Sequence, residues 1–377
     1  MSIFLAADFL ISAGAAAIYA YGLVNFRGSF RSLRPLEGRK LVRRVTVVVP
    51  ARNEASRVRG LVSSLAASQP SPSEVVLVDD RSEDGTAEAA LRESDRLHLR
   101  VERVNSVREG WNPKANAVMA GASRVPLWDS VLFLDVDVRG DVGPLIAAAS
   151  RARPGALIAF EPKFSCETWF CRAAQPFFTG LLHGFYGFNR ALDPRDRHSL
   201  IYGCCWAIDP YTFWELGGLA PVRSALVEDR EFAAYAKSRG VALVPHDARR
   251  YVMVESWQGP RDMYELIKRV SYRASRSASR LRFAAFSLGL ALLLMWPAAW
   301  VPLLAAGAYL PALGPLVSYL LQASLSYAGQ RAEGIRGPWF LLSPLPAAVL
   351  IAGFVASRWS PVRWRGQLID PSSLTGT

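Results

Sequence analysis

The chain has 377 residues, of which 51% are hydrophobic and 20% are charged, and this composition excludes an extensively disordered protein. Its 44 Lys and Arg residues outnumber its 32 Asp and Glu residues and give a net charge of +12. Because so apolar a composition is typical of membrane association, we interpret the excess positive charge as a preference for anionic lipid rather than for nucleic acid.

An apolar segment runs from Ile3 to Phe26 and is interrupted only by Asp8. It is long enough to cross the ~30 Å hydrocarbon layer of a bilayer. No basic residue precedes it, as one would in a secretory signal, whereas seven basic residues follow it between positions 27 and 44. The positive-inside rule therefore predicts an uncleaved membrane anchor (1–26) and a cytoplasmic basic linker (27–44), with a cleaved leader as the alternative.

A region of alternating strand and helix patterns extends from residue 45 to residue 259. Strands are predicted at 45–49, 75–78, 99–104 and 131–134, and helical spacing covers 57–68 and resumes near Thr86. This alternation predicts an α/β fold in which helices flank a mostly parallel sheet. Ligands bind beyond the carboxyl ends of the strands in such sheets. Three of the predicted strands end in polar clusters, at Pro50–Glu54, Asp79–Asp84 and Asp135–Asp137.

The last third of the chain contains three more apolar segments of near-spanning length, Phe283–Leu303, Leu304–Tyr327 and Pro338–Ser357. Together they make up a predicted transmembrane region, 283–357. Three crossings would place the tail (358–377) outside the cell, whereas the arginines of the tail favour the inside. The sequence therefore leaves open whether two or three of these segments cross.

Residues 260–282 precede the apolar segments and carry seven basic residues among apolar residues at helical spacing. This pattern predicts a basic amphipathic helix that lies on the membrane surface. A solvated helix packed on the soluble domain is the alternative.

Two acidic pairs suggest the chemistry. Asp135 and Asp137 stand two residues apart at the end of a predicted strand and offer the oxygen ligands that Mg²⁺ and Mn²⁺ prefer. In the second pair, Glu228 and Asp229, a carboxylate would act as general base toward an attacking hydroxyl, unless the pair only begins a helix. Either pair alone is weak evidence, because neighbouring surface carboxylates are common.

Polar residues between the two pairs are suited to nucleotide binding or to loop structure. The carboxylates of the segment 79–86 would accept hydrogen bonds from a base or a ribose, although Ser82 or Asp84 would also cap a helix. Lys114 and Asn116 follow a Gly-Trp-Asn-Pro turn and would neutralise a phosphate or fix the loop.

The cysteines and histidines indicate no further site. Cys166, Cys171, Cys204 and Cys205 form no CxxC pair, and the four histidines form no HExxH motif. The sequence therefore predicts neither a disulfide framework nor a zinc site.

Taken in order, these motifs resemble those of family 2 glycosyltransferases, which have a GT-A fold. The motifs are PARNE at 50–54, DDRSEDGT at 79–86, KAN at 114–116, DVD at 135–137 and ED at 228–229. The resemblance covers residues 45–259, including a segment that ends in WELGG at 214–218. The anchor before this region and the apolar segments after it resemble the membrane-bound subgroup that acts on lipids.

The resemblance implies a role for each motif. Asp80 would contact the base and Asp135 the ribose, while Asp137, together with Asp135, would hold Mg²⁺ or Mn²⁺ on the diphosphate. Asp229, beside Glu228, would be the base of a direct displacement that inverts the anomeric carbon. The implied nucleotide-sugar contacts are Pro50, Ala51, Arg52, Asn53, Glu54, Asp80, Ser82, Lys114, Asn116 and Asp135.

Two departures from the family pattern stand out. Arg81 occupies the position of the usual glycine after the paired aspartates, which would alter the base pocket. No QxxRW motif follows the ED pair, and this disfavours a processive polymer synthase.

The sequence thus predicts an integral protein of the cell membrane with a cytoplasmic catalytic domain. It would transfer one sugar from a UDP- or GDP-sugar to a lipid hydroxyl or a polyprenyl phosphate. The alternatives are a membrane-tethered scaffold that keeps the fold without turnover, and a sugar nucleotidyltransferase. The nucleotidyltransferase would need a glycine-rich phosphate loop, and residues 51–59 contain no glycine.

Overall fold

The computed structural model describes residues 2–364 and 367–369 of the chain, so the remaining predicted tail residues lie outside the described part. The α-helices are α1 (Ser2–Arg31), α2 (Ala55–Ala66), α3 (Thr86–Arg92), α4 (Pro113–Ala122), α5 (Gly143–Ala149), α6 (Trp169–Tyr186), α7 (Phe188–Ala191), α8 (Pro210–Glu215), α9 (Glu228–Ser238), α10 (Pro260–Ser277), α11 (Arg280–Met295), α12 (Trp300–Ala305), α13 (Tyr309–Glu333) and α14 (Pro344–Ala356). The strands are β1 (Arg34–Pro35), β2 (Val45–Ala51), β3 (Glu74–Asp80), β4 (Leu99–Val104), β5 (Ser130–Leu134), β6 (Val138–Gly140), β7 (Ala156–Glu161), β8 (Lys163–Ser165), β9 (Cys205–Ile208), β10 (Ala242–Asp247), β11 (Val252–Glu255), β12 (Val362–Trp364) and β13 (Gln367–Ile369).

These elements belong to two compact units. The α/β unit consists of Arg31–Phe164 and Phe188–Glu255. The helical unit combines the N-terminal helix with Ser165–Gly187 and Ser256–Ile369. The predicted domain boundaries follow sequence patterns and stay predictions.

The main sheet of the α/β unit has eight strands in the order β1-β10-β7-β9-β5-β2-β3-β4. β5, β2, β3 and β4 pair in parallel, and so do β1, β10 and β7. The short strand β9 is antiparallel to both of its neighbours, β5 and β7. This mostly parallel sheet with flanking helices confirms the predicted α/β fold class, and β2 to β5 lie where the sequence placed strands.

The core around the first strand follows directly from residue type. Val45, Val47 and Val49 of β2 are buried, and the apolar face of α2 packs in the same core. Burying a side chain of this size contributes about 1.5–3 kcal/mol. This packing fixes the carboxyl end of β2, where the PARNE motif begins.

Helix α4 approaches the sheet at a position where only glycine fits. A Cβ atom on Gly121 would lie 2.4 Å from Cγ1 of Val48 and 2.7 Å from Cγ2 of Val78. The same helix begins at a cap, because Oδ1 of Asn112 accepts a hydrogen bond from the backbone N–H of Lys114 at 2.9 Å. The close approach and the cap together fix the first turn of α4, which carries Lys114.

Among the described residues, two helical segments are long and apolar enough to cross a membrane. They are Phe4–Arg31 of α1 and Arg280–Ala305, in which a 3₁₀ turn connects α11 to α12. The expected segment Leu304–Tyr327 is not one helix, because the chain turns at Gly307, whose φ is +75°. The expected segment Pro338–Ser357 forms a helix of only 13 residues, α14, which spans about 20 Å and is shorter than the ~30 Å hydrocarbon layer.

A row of buried polar residues explains why α13 differs from the predicted apolar span. Gln322 donates hydrogen bonds to the hydroxyl of Tyr19 at 2.7 Å and to the carbonyl oxygen of Leu294 at 3.0 Å. Ser318 donates to the carbonyl oxygen of Ser12 at 2.9 Å. These polar groups face other helices of the same unit and are therefore satisfied inside the protein.

The predicted amphipathic helix at 260–282 is α10, which ends at Ser277. Its apolar residues Met263 and Ile267 are buried in a cluster with Phe170 and Ala174 of α6. The apolar face of α10 therefore packs on protein rather than standing free, while its arginines Arg261, Arg273 and Arg276 are exposed.

The expectation that the cysteines form no disulfide is wrong. Cys166 and Cys171 are joined by a disulfide bond at the start of α6. Thr168 caps this helix, since its Oγ1 accepts a hydrogen bond from the backbone N–H of Cys171 at 3.2 Å. The cap folds the chain back on itself and brings together two cysteines whose spacing matches no standard motif.

We expect Gly121→Val to destabilise the α/β unit by about 1–3 kcal/mol, because the added carbons overlap side chains of two buried strands. Thermal unfolding of the purified protein measures the effect. Ala120→Val, at a partly exposed position of the same helix, is the matched control. Equal melting temperatures for the two variants would contradict the close packing of α4 on the sheet.

Candidate active site

Hydrogen bonds join the loops that follow β2 and β3. The backbone N–H of Asn53 donates to Oγ of Ser82 at 3.0 Å, and Oδ1 of Asn53 accepts from the N–H of Glu83 at 2.9 Å. Oδ2 of Asp84 accepts from the N–H of Ala55, the first residue of α2, at 2.9 Å. The PARNE and DDRSEDGT motifs therefore build one connected surface at the edge of the sheet.

The remaining residues of PARNE anchor this surface. Ala51, Arg52 and Glu54 are buried, and the backbone N–H of Glu54 donates to Oγ1 of Thr86 at 2.8 Å. Oε2 of Glu54 lies 3.5 Å from Nη1 of Arg57. The motif thus fixes the start of α2 with its backbone and leaves Asn53 exposed at the tip of the loop.

Asn53 and Arg81 both adopt the left-handed backbone conformation, with φ of 53° and 58°. This region is uncommon for residues other than glycine, and asparagine tolerates it better than arginine does. Arg81 stands where family 2 glycosyltransferases, which this sequence resembles, usually have glycine. Glycine adopts the left-handed conformation without strain, whereas arginine does not. Side-chain contacts must hold such a conformation in place.

The carboxylate of Asp80 supplies those contacts. Nε of Arg81 donates to its Oδ1 at 2.8 Å and Nη2 to its Oδ2 at 3.2 Å. Nη1 of Arg52 lies 3.8 Å from the same Oδ2. Asp80 is buried. Its negative charge is balanced by the guanidinium groups of Arg52 and Arg81.

Lys114 lies between the two acidic pairs that the sequence singles out. Its Nζ is 2.8 Å from Oδ1 of Asp135 and 3.5 Å from Oε1 of Glu228. Burial lowers the pKa of Lys114, but the attraction of Asp135, Glu228 and Asp229 outweighs burial and raises the pKa above its ordinary value. Lys114 is therefore a fixed ammonium that joins the end of β5 to the start of α9.

Glu228 is the more deeply constrained member of its pair. Burial raises the pKa of its carboxyl group, the charge of Lys114 opposes this rise, and the neighbouring charge of Asp229 adds to it. The net pKa of Glu228 lies above its ordinary value. The carboxyl group of Glu228 consequently binds a proton more tightly than a carboxyl group in water does.

Asp137 has one carboxylate oxygen that lacks a hydrogen-bond donor within the described residues. Burial and the charge of Asp135 raise its pKa to about 7, although Lys114 acts in the opposite direction. Its Oδ1 is buried, and no described residue donates a hydrogen bond to it. A buried acceptor without a donor is costly, and a bound cation would remove that cost.

Asp229 lies against a glycine. A Cβ atom on Gly203 would stand 2.4 Å from Oδ2 of Asp229, so the absence of a side chain at 203 makes room for the carboxylate. Residues from both acidic pairs meet at one small cavity, lined by Pro50, Lys114, Val118, Phe133, Leu134, Asp135, Gly203, Trp206, Leu219, Glu228 and Asp229.

Of the predicted site residues, five line this cavity: Pro50, Lys114, Asp135, Glu228 and Asp229. Asn116 is buried in α4, and its Nδ2 donates to the carbonyl oxygen of Ser106 at 3.3 Å, which fixes the preceding loop. Sequence reasoning missed Gly203 as a residue of the site. A glycine carries no side-chain signal, and only its position beside Asp229 reveals its importance.

No group of three or more His, Cys, Asp or Glu side chains within 2–364 and 367–369 is arranged to hold a metal ion. Protein side chains in this part of the chain therefore do not form a complete metal cage. A divalent ion at Asp137 would take its other ligands from water and from substrate phosphates, as Mg²⁺ commonly does.

Residues 46–217 match the sequence model of glycosyl transferase family 2. This stretch, which is somewhat less than half of the chain, resembles a family 2 glycosyltransferase domain. The match begins in β2 and includes the PARNE, DDRSEDGT, KAN and DVD motifs. The Glu228–Asp229 pair lies beyond its end, so the place of that pair in the site rests on the geometry around Lys114.

Two individual proteins resemble this chain. The 4,4'-diaponeurosporenoate glycosyltransferase of Staphylococcus haemolyticus is 34% identical over 129 residues, which are 34% of this chain and 32% of that protein. The match therefore spans about a third of the relative's length. A mannosyltransferase from Pyrobaculum calidifontis, solved in complex with GDP-Man and Mn²⁺, shares the fold with a TM-score of 0.53 at 18% identity, over 93% of this chain and 99% of that one.

We expect Lys114→Gln to lower the free energy of unfolding by up to about 3 kcal/mol at pH 8. This is the low end of the range for breaking a buried ion pair, because the Lys114 side chain is 19% exposed. Without the ammonium, repulsion raises the pKa of the remaining carboxyl groups in the folded state, so the loss grows as pH rises and shrinks toward pH 5.

Denaturant unfolding between pH 5 and pH 8 measures this dependence, with Lys114→Arg as the charge-preserving control. A stability loss that is the same at both pH values would contradict the proposed charge balance.

Proposed function

We propose that the protein is a membrane-bound, inverting glycosyltransferase that moves one sugar from a UDP- or GDP-sugar to a lipid acceptor, either a lipid hydroxyl or a polyprenyl phosphate. The observation that carries the proposal is the contact of Lys114 with both Asp135 and Glu228 in a family 2 domain. This contact brings the end of a central strand and the start of α9 to the same cavity.

The donor nucleotide would bind on the connected loops after β2 and β3. Asn53 and Ser82 stand at the junction of these loops, and the Arg81–Asp80 ion pair presents a charged, planar group beside them. A planar guanidinium can stack on a base, and the backbone of the loops offers further donors and acceptors. The proposal therefore assigns the base contact to the pair of Asp80 with Arg81 rather than to Asp80 alone.

The diphosphate would lie near Asp135 and Asp137. The unpartnered Oδ1 of Asp137 fits a ligand for Mg²⁺ or Mn²⁺, with Asp135 beside it. When bound, such an ion supplies positive charge for the leaving nucleoside diphosphate. Lys114 orients Asp135 and limits the negative charge that the two aspartates would otherwise place on one strand end.

With a lipid hydroxyl as acceptor, Asp229 would accept its proton as that oxygen attacks the anomeric carbon. The bond to the new oxygen forms while the bond to the nucleoside diphosphate breaks, which inverts the configuration. Gly203 keeps the space that this carboxylate occupies. Glu228, bound to Lys114, would hold the start of α9 and thereby position Asp229.

The acceptor would be a lipid. The apolar helices Phe4–Arg31 and Arg280–Ala305 suit a membrane protein, and the relative from Staphylococcus haemolyticus is named for a lipid-like acceptor. The charge order around α1 favours the cytoplasm for the α/β unit. The Cys166–Cys171 disulfide favours an oxidising compartment, but we propose the cytoplasmic side because a soluble nucleotide-sugar donor is expected there.

Incubation of membranes that contain the protein with a panel of labelled UDP- and GDP-sugars, followed by lipid extraction, tests the proposal directly. We expect label from one donor in the lipid fraction, and incorporation that is slower by about 10²-fold or more with the Asp229→Asn variant. Donor binding without label transfer to any lipid would instead favour the scaffold alternative.

We expect Asp229→Asn to lower kcat by about 10²-fold or more, because the amide cannot take up the acceptor proton. The affinity for the donor should stay nearly unchanged. Steady-state kinetics and donor titration measure the two effects, with the exposed Asp95→Asn as control. Normal turnover of Asp229→Asn would refute its assignment as the base.

We expect Asp137→Ala to act on binding rather than on proton transfer. Calorimetric titration of wild-type protein with UDP and GDP should show tighter binding when Mn²⁺ is present. In the variant the gain from Mn²⁺ should disappear, because the carboxylate that holds the ion is missing. A gain from Mn²⁺ that survives the substitution would place the ion elsewhere.

A further inference from the structure

The α/β unit contains a second cavity, of about 540 Å³, that shares no lining residue with the cavity around Lys114. Its volume falls within the range of small-molecule sites in proteins. It lies where β7 and β10 pair beside the end of α5. Nothing in the proposed sugar transfer uses this cavity.

The inner surface of the cavity is apolar. Ile158 of β7 pairs with Val244 of β10, and Ala148 and Ala152 lie beside them in the lining. Alternate residues of a strand point to the same face of a sheet, so this surface continues along both strands. Such a surface favours a hydrocarbon group over water.

The rim of the cavity is basic. Arg34, Arg151 and Arg153 line it, and Glu37 is also present in the lining. Arg151 donates to the carbonyl oxygens of Glu37 at 2.9 Å and Lys40 at 3.4 Å, so a backbone contact holds it in place. In the described part of the chain, no carboxylate forms an ion pair with any of the three arginines. Their positive charge is therefore free to attract an anion.

His246 adds a titratable group to this rim. Its Nδ1 lies 3.2 Å from the carbonyl oxygen of Pro35. Because a carbonyl oxygen can only accept, Nδ1 carries the proton and donates this hydrogen bond. Protonation of the ring would then take place at Nε2. Burial and the charges of Arg34 and Arg151 lower the pKa of His246. An anion among the arginines would offset their repulsion and raise that pKa again.

We propose that this cavity binds a phosphodiester through Arg34, Arg151 and Arg153, with an apolar part of the same ligand on the Ile158–Val244 surface. Arginine is suited to the phosphate because its planar guanidinium donates two parallel hydrogen bonds to it. The phosphodiester would come from a membrane phospholipid or from a soluble phosphodiester. Arg34 follows the end of the apolar helix α1 by three residues along the chain, which makes a lipid source chemically reasonable.

Calorimetric titration of the purified full-length protein separates these sources. The two probes are dihexanoyl phosphatidylglycerol and glycerophosphoglycerol, which share one headgroup and differ in their acyl chains. We expect wild-type protein to bind the first probe, and Arg34→Gln/Arg153→Gln to weaken binding at least tenfold. Arg92→Gln/Arg96→Gln, which removes the same charge from an exposed surface, should bind like wild type.

Binding of phosphatidylglycerol alone would support a lipid source, and equal binding of both probes would support a soluble one. The proposal fails if neither probe binds or if both double variants lose the same affinity. Arg34 and Arg153 are suitable targets because neither side chain forms a hydrogen bond or ion pair within 2–364 and 367–369, so the fold does not depend on them. Unchanged donor affinity in the same variants would show that the proposed sugar-transfer site is intact.

NMR of histidine-labelled protein provides a second readout at the cavity itself. The pKa of His246 should rise when phosphatidylglycerol binds, with His246→Gln identifying its signal. The NMR signals of the other histidines, His98, His183 and His198, should not respond to the lipid. A pKa of His246 that does not change while the lipid binds would place the phosphodiester outside this cavity.

Discussion

The arrangement of the candidate active site depends on one ammonium group among four carboxylates. Lys114 contacts Asp135 and Glu228, and it also attracts Asp229 and Asp137. The surplus of carboxyl groups over ammonium groups raises the pKa of Asp137 and Glu228. It would favour a divalent cation here, and the cation would in turn attract the diphosphate of a donor.

The same ammonium connects three parts of the chain. Lys114 is fixed by the cap and the close packing of α4, Asp135 by the central strand β5, and Glu228 by the first turn of α9. Their sequence positions span more than a hundred residues, yet the sheet brings them to one edge. This is the usual location of ligands in open α/β sheets.

Much of this architecture could be predicted from the sequence. The runs of β-branched and other apolar residues at 45–49, 75–78 and 131–134 predicted the central strands, because such buried strands have a strong hydrophobic signature. The polar clusters after those strands predicted where the site would lie. The individual contacts could not be predicted, since the pairing of Lys114 with Glu228 depends on tertiary positions that no local pattern encodes.

Other features were missed for identifiable physical reasons. Strand β9 has only four residues and runs antiparallel inside a mostly parallel sheet, so alternation alone could not reveal it. The apolar composition around α13 predicted a membrane span, but Ser318 and Gln322 bind groups on other helices and turn toward protein. The Cys166–Cys171 disulfide joins cysteines five residues apart across the helix cap at Thr168, and this spacing is not that of a CxxC pair.

The most direct test of the central claim is a crystal structure of the protein soaked with Mn²⁺ and UDP or GDP, with the metal located by its anomalous scattering. We predict one strong peak within coordinating distance of Oδ1 of Asp137, with the diphosphate on the side of the Lys114 cavity. A metal and nucleotide bound together in another cleft, with Oδ1 of Asp137 uncoordinated, would contradict it.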